Sequence, residues 1–442
     1  MIEGWTRFKT QVRQYTSRAG ISAALRNSGW LMADRTLRMG LGVVVGLWVA
    51  RYLGPTNYGL INYVLSIFGL VGTVVYLGLD GVLGRFLVRY PSRTKDILGT
   101  AIVVRLVTGV IAFMALALWL YIGQSQLPLI GSLVLSAGFL IQPFNVVRYW
   151  FDAKLDSKQV VMAELLGVTI GSGIKIAGIL YGAGINWFIG VSTVELAIGI
   201  AGFVWRYHRY GPGIQWRISP RVGKLVLQSG LPLILANSAV MVYMRIDQIM
   251  LNWISGPHEA GLYAAATRLS EMPSFIPALI AASVTPSIIK CKKGNPQLYL
   301  ERIGRLMSLL TGLAYLLIVG TLCTAWWVVP LLLGGQYSGS TPILVVHVLG
   351  LVGIFQGAAS GVFYINEKLT KVFAMNLVAV AIANIGLNIV LIPRFGGMGA
   401  AAATAVCQTV LPVILNGAIR RTWPLFRCQL MAFSLGGLRS KR

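Results

Sequence analysis

Apolar stretches of about 20 residues recur twelve times along this chain. That recurrence constrains the fold more than any motif, because a helix needs roughly 20 apolar residues to cross a ~30 Å hydrocarbon core. The expected spans cover residues 30–50, 58–79, 98–122, 127–147, 159–181, 185–205, 225–253, 260–286, 306–333, 341–364, 371–392 and 398–419. The composition agrees: 56% of residues are hydrophobic, 12% are charged and mean hydropathy is +0.72. A soluble domain carries about 25% charged residues. An all-α integral membrane protein is expected.

The net charge of +25 invites a nucleic-acid reading, but the positions of the charges exclude it. Thirty of the 38 Lys and Arg residues fall in alternate gaps between spans or in the terminal segments, and only Arg51 and Arg394 occupy the other gaps. Such alternation is the signature of cytoplasmic loops. It places both termini in the cytoplasm, requires an even number of helices and leaves no basic surplus for a nucleic-acid partner. Residues 1–29 are polar and basic without the apolar core and small-residue end of a signal peptide. Trp5, Phe8, Val12 and Tyr15 fall near helical spacing, so this segment reads either as a surface-lying amphipathic helix or as a disordered basic arm. Cys291, Cys323, Cys407 and Cys428 and His208, His258 and His347 show no ligand spacing, so no metal or cofactor is implied. No phosphate-binding G-x-x-x-x-G-K occurs.

Within this pattern the chain echoes itself. RYLGPTNYGLINY at 51–63 and SGPHEAGLY at 255–263 share Gly-Pro, three residues, then Gly-Leu. FDAKLDSKQVVMAE at 151–164 resembles FYINEKLTKVFAMN at 363–376, and YGAG at 181–184 is matched by FGGMG at 395–399. Three echoes in one order imply a duplicated six-helix unit: a basic segment at 1–29, a bundle at 30–210, a second at 211–420 and a basic tail at 421–442. Six is even, so both copies face the same way about a pseudo-two-fold axis along the membrane normal, which leaves a central cavity. Pro55 and Pro257 are expected to end the first helix of each half as plain hairpin turns.

Six cations lie within or near the spans: Arg35, Arg38, Arg105, Lys175, Arg245 and Arg268. Each costs roughly 2.5–3.5 kcal/mol at mid-membrane and so needs a partner, water or a function. Acids in comparable places are Asp34, Asp80, Glu164, Glu195, Asp247 and Glu271, and of these Asp34, Asp80, Glu195, Asp247 and Glu271 are candidates for charge pairing or for taking a proton or Na⁺. Converging on a cleft, the cations would form a pocket suited to phosphate or carboxylate, which a guanidinium grips with two hydrogen bonds. Alternatively, Arg35, Arg38 and Arg268 snorkel to the surface or pair locally, as Arg268 and Glu271 can at i, i+3. His347 reads as a hydrogen-bonded core residue or, alternatively, a proton relay, and Asn376, Asn384 and Asn388 are expected to form interhelical hydrogen bonds.

Several segments carry a resemblance: LRMGLGVVVGLWVARYLGPTNYGLINYVLSIFGL, LGLDGVLGRFLVRY, FDAKLDSKQVVMAELLG and RIDQIMLNWISGPHEAGLYAAATRLSE. They are similar to the bacterial polysaccharide-repeat flippases, the Wzx type of the multidrug/oligosaccharidyl-lipid/polysaccharide exporter superfamily. The resemblance implies about twelve helices in two bundles around a cavity, in the bacterial inner membrane. It also implies transfer of undecaprenyl-pyrophosphate-linked oligosaccharide to the outer leaflet for O-antigen, exopolysaccharide or capsule synthesis, by a transporter and not an enzyme. A polysaccharide polymerase and a chain-length regulator would be further partners beside membrane lipid. The family's cationic lining carries over to Arg35, Arg38, Arg245 and Lys175, with Asp34, Asp80 and Asp247 at charged family positions. The chain lacks the two additional helices of the related lipid II flippases. An ion-coupled small-molecule exporter of the same superfamily is the alternative, although cationic substrates would favour an acidic cavity. A membrane polymerase or ligase would resemble chains with a large external loop, and every external gap here is short.

Overall fold

The computed structural model describes residues 18–439 except 124–126, 212 and 214, with side chains from Leu37 onward except at 39, 231–233, 235–237, 293 and 438–439. The helices are α1 (Arg18–Val75), α2 (Asp80–Arg89), α3 (Thr94–Gly123), α4 (Leu129–Ile141), α5 (Arg148–Ala153), α6 (Ser157–Leu180) and α7 (Ile185–Tyr210). There follow α8 (Pro220–Glu271), α9 (Phe275–Gly294), α10 (Pro296–Leu333), α11 (Ser340–His347), α12 (Leu351–Asn366), α13 (Thr370–Ala418), α14 (Trp423–Phe433) and α15 (Gly436–Arg439). Among the described residues nine helical stretches are long and apolar enough to cross a membrane. Three of these, in α1, α8 and α13, are broken internally at Gly54, Gly256 and Gly396, so the nine stretches hold the twelve expected segments. The protein is an all-helical, multi-pass membrane protein.

Glycine, not proline, makes each break. Gly54 (φ 73°, ψ 168°) and Gly256 (φ 87°, ψ 171°) occupy a backbone region open only to glycine. Pro55 and Pro257 then start the next helix, where a missing N–H costs nothing and the fixed φ is already helical. The expectation that the prolines end the preceding helices is therefore corrected by one residue.

The second echo also shifts by one. Leu155 N and Asp156 N donate to Asp152 O and Phe151 O after α5, and Lys368 N and Leu369 N donate to Ile365 O and Tyr364 O after α12. Leu155 and Lys368 both have φ 57°, so they are the equivalent residues. The Lys-Leu pairs that match by eye are thus one position out of structural register.

Two compact units form among the described residues: one holds those up to Gly46 and Val71–Leu235, the other Leu47–Leu70 and those from Ala236 onward. They depart from the sequence halves at two places, each with a local cause. Residues 211–235 stay with unit 1 because Arg217 N donates to Lys95 O (3.2 Å) and Ser219 N to Thr100 Oγ1 (2.9 Å). Trp216 also packs with Tyr207 and Phe144 there. Residues 47–70 belong to unit 2 through a ring of interlocked turns. Tyr337 Oη donates to Ala50 O (2.7 Å), Gln336 Nε2 to Arg51 O (2.7 Å) and an Arg51 guanidinium nitrogen to Leu331 O (3.1 Å).

The two Gly-Pro motifs meet inside unit 2. A Cβ on Gly59 would overlap the Pro257 carbonyl oxygen, and one on Gly261 would overlap that of Pro55. Each motif's second glycine therefore lies against the other's proline, and Trp253 Nε1 donates to Tyr63 Oη (2.7 Å) beside the crossing. The Gly-Pro-x-x-x-Gly spacing thus supplies a bend and, one turn later, a surface flat enough for backbones to touch.

Candidate functional site

The turn glycines give a depth ruler. At 1.5 Å per helical residue, Asp247 and Arg245 lie about 14 and 16 Å before Gly256 along α8, near the middle of a ~30 Å core. Lys175 lies about 10 Å before Gly182, whereas Arg38 and Arg105 lie roughly 24–27 Å from the turns of their helices. Asp247 and Arg245 thus lie nearest the mid-plane.

Unit 1 pairs its charges. Lys175 Nζ donates to Glu195 Oε2 at 2.8 Å between α6 and α7. Gly171, one turn before Lys175, leaves room for the acid, since a Cβ there would lie 2.9 Å from Glu195 Oε2. Glu164 takes Arg38 on one oxygen (2.5 Å) and Arg148 on the other (2.8 Å). Arg105 is only 2% exposed and donates to Asp80 Oδ1 (2.5 Å) and Tyr76 O (3.2 Å), and Tyr149 Oη donates to the same Asp80 oxygen (2.5 Å). Arg105 is therefore packed within unit 1, where its Nη2 braces α3 against the turn between α1 and α2. Asp34 and Arg35 lie on α1 with side chains outside the described residues.

Unit 2 holds a cavity of about 510 Å³ between α8, α11, α12 and α13, and Arg245, Asp247, Glu271 and His347 all line it. Asp247 is 5% exposed and has no ion pair among the described residues. Neutral donors hold it instead. Thr404 Oγ1 (2.5 Å) and Tyr263 Oη (2.8 Å) donate to Oδ2, and Asn388 Nδ2 (2.6 Å) donates to Oδ1. Asn388 Nδ2 also reaches Asn384 Oδ1 (3.1 Å), while Asn388 Oδ1 is buried without a partner. Carboxylate, amide and hydroxyl oxygens thus converge at mid-membrane depth, a donor set suited to a hard monovalent cation or a proton.

Around this centre the polar residues continue. Ser270 Oγ and His347 Nδ1 are 2.7 Å apart, so the histidine is a hydrogen-bonded core residue that also lines the cavity. Asn376 Nδ2 donates to Tyr364 Oη (2.9 Å), which in turn bonds Asn416 Oδ1. The asparagine stripe on α13 is interhelical, as expected, but serves two separate networks. Arg245 is exposed on the cavity wall, and Arg268 lies on α8 beyond the Gly256 break and outside the cavity lining.

Tyr263 and Thr404 escaped sequence reasoning. Tyr263 lies sixteen residues past Asp247, across the Gly256 break where helical spacing no longer applies. Thr404 is one hydroxyl in the run AAAATAV, and a lone polar residue in an alanine-rich span was the available signal.

Comparison with known proteins follows the same lines. A family model described as "Polysaccharide biosynthesis protein" matches residues 24–292. "Probable flippase AglR" of Haloferax volcanii is 24% identical over 408 residues, covering 86% of this chain and 80% of that one. The solved structure "Lipid II flippase MurJ, inward closed conformation" superposes with a TM-score of 0.69 at 13% identity, over 93% of both chains. An inward-facing multidrug resistance MATE family transporter gives 0.61 at 16% identity, over 92% of this chain and 96% of that one. At such identities these structures speak for the fold, a two-lobed transporter architecture.

Proposed function

We propose, from the premise that this chain belongs to the polysaccharide biosynthesis protein family, that it flips undecaprenyl-pyrophosphate-linked oligosaccharide repeat units from the cytoplasmic to the outer leaflet. It is a transporter of the flippase kind in the multidrug/oligosaccharidyl-lipid/polysaccharide exporter superfamily, not an enzyme. The lipid carrier, the bacterial cytoplasmic membrane, cytoplasmic termini and a polymerase and chain-length regulator as partners all belong to this proposal.

The observation that carries it is Asp247, an acid at mid-membrane depth held only by neutral groups in a polar cavity. A carboxylate kept there without a counter-ion is costly, and such residues mark ion and substrate pathways. In our reading Asp247, with Asn384, Asn388, Thr404 and Tyr263, takes a coupling cation, H⁺ or Na⁺, and Glu271 on the same cavity shares its field. The substrate diphosphate is met by Arg245, exposed on the wall of the unit 2 cavity. Lys175 with Glu195 and Arg105 with Asp80 supply paired charges that hold unit 1 in shape. Alternating access moves the wet head group while the isoprenoid tail stays in lipid.

Transfer of labelled lipid-linked oligosaccharide in proteoliposomes tests the proposal. Arg245→Ala should slow transfer, and Arg245→Lys should recover part of it. Undiminished transfer in Arg245→Ala at normal expression overturns the arginine assignment. Transfer that is indifferent to collapse of both proton and sodium gradients overturns the coupling.

A further inference from the structure

The tail of the chain builds a second recess, remote in sequence from Asp247. Helix α14 lies along the start of α10, with Leu425, Cys428 and Ala432 buried in the core of unit 2. Tyr315 Oη donates to Phe433 O (3.1 Å), and Gly437 N donates to Ser308 Oγ (3.2 Å), so α14 and α15 are fastened at their far end. Burial pushes the Cys428 thiol up to about 11, which leaves it neutral and part of the packing. Between α10 and α14 a recess of about 600 Å³ remains, lined by Arg305, Arg420 and Arg427 with a single acid, Glu301.

Three features of this recess point to one class of ligand. First, its charge is positive. Arg420 and Arg427 are exposed and have no carboxylate or carbonyl partner among the described residues, while Arg305 reaches Glu301 only at 3.9 Å. Second, its lining includes exposed apolar side chains, with Trp423 49% and Met431 48% exposed. Trp423 Nε1 is already satisfied by Gly417 O (2.7 Å), which leaves the ring free to lie at a headgroup boundary. Third, the recess sits at the α10 and α13 ends that the charge alternation assigns to the cytoplasmic face, where anionic lipid is attracted to clustered arginine. A soluble anion would need only the charge. A phospholipid uses both the charge and the exposed apolar side chains.

We propose that the α10–α14 recess binds the headgroup of an anionic phospholipid, with Arg305, Arg420 and Arg427 around the phosphate and the acyl chains over Trp423 and Met431. The site is independent of which substrate the protein carries. Lipid bound there pins the tail helix against unit 2.

Native mass spectrometry of the full chain in detergent, titrated with phosphatidylglycerol or phosphatidylcholine, tests this, together with thermal stability under the same additions. Wild type should retain phosphatidylglycerol in preference to phosphatidylcholine. Arg420→Ala/Arg427→Ala should bind it about thirtyfold less well, about fivefold per arginine near an anionic surface. Arg217→Ala/Arg221→Ala, which removes equal charge elsewhere, should bind as wild type does. Equal retention of the two lipids by wild type overturns the proposal whatever the variants do. So does protection by inorganic phosphate as strong as by phosphatidylglycerol, or unchanged binding in Arg420→Ala/Arg427→Ala. Should that variant not fold, Arg420→Gln and Arg427→Gln measured singly must each weaken binding, and the idea fails if neither does.

Discussion

Unit 1 and unit 2 answer the same problem, charge at membrane depth, in opposite ways. Unit 1 sets its deeper described cations against carboxylates: Lys175 with Glu195, Arg105 with Asp80, and Arg38, together with Arg148, with Glu164. Unit 2 surrounds its deepest acid with a threonine, a tyrosine and an asparagine. A closed ion pair is self-sufficient, and neither member can take another ion without stranding its partner in low dielectric. Neutral donors leave the negative charge in place, and a hydroxyl or amide can turn an oxygen toward an arriving cation. Two copies of one helical pattern thus differ in which can respond to an ion and which is braced.

Exchanging the acids should break this contrast most visibly. Asp247→Asn keeps the shape of the site but removes its charge, and should weaken the proposed coupling cation by more than the roughly 10- to 100-fold that losing an outer partner of a ligand costs. Transport measured against imposed gradients would then lose its ion dependence. Glu195→Gln should leave that dependence intact, and the reverse outcome would invert the assignment of the two units.

Next in size is the crossing inside unit 2. Gly59→Ala or Gly261→Ala drives a methyl group into a backbone carbonyl that cannot swing aside, at a cost of about 1–3 kcal/mol, visible as a lower melting temperature. Gly173→Ala in unit 1 meets no atom within 4 Å and should be neutral or stabilising.

Glu164→Gln should cost unit 1 about 2 kcal/mol, below the full value for a buried pair because Arg38 and Arg148 are 34% and 33% exposed. A double-mutant cycle with Arg148→Ala should show a clear coupling energy. The smallest effect is expected at the quarter-exposed Lys175–Glu195 pair, where Lys175→Met alone should cost about 1 kcal/mol. Adding Glu195→Gln should restore most of that loss, since no charge is then left without its partner.

Much of the fold was legible because lipid leaves few options. A run of 20 apolar residues must pair its own backbone, so the spans at 159–181 and 306–333 correspond closely to Ser157–Leu180 and the apolar part of Pro296–Leu333. The Gly-Pro echo was legible as a repeat, although the break falls on the glycine and the second glycine's contact was invisible from either copy alone. Among the charges, Asp247 was legible only as one of six acids within or near the spans. The pairing of Arg38 with Glu164 could not, because 126 residues separate them and no helical spacing connects α1 with α6.

The sequence by itself determined that this chain crosses a membrane many times, that its loops alternate in charge and that one six-helix pattern occurs twice. Those properties follow from local rules, namely backbone satisfaction in lipid, charge placement and repeat spacing. Only the tertiary structure decided which charges cancel. It set residues 47–70 in the second unit, closed the cations of the first onto acids, and gave Asp247 hydroxyls and amides instead of a counter-ion. Such neutralisation depends on distances of 2.5–3 Å between residues far apart in the chain, and no local rule fixes those.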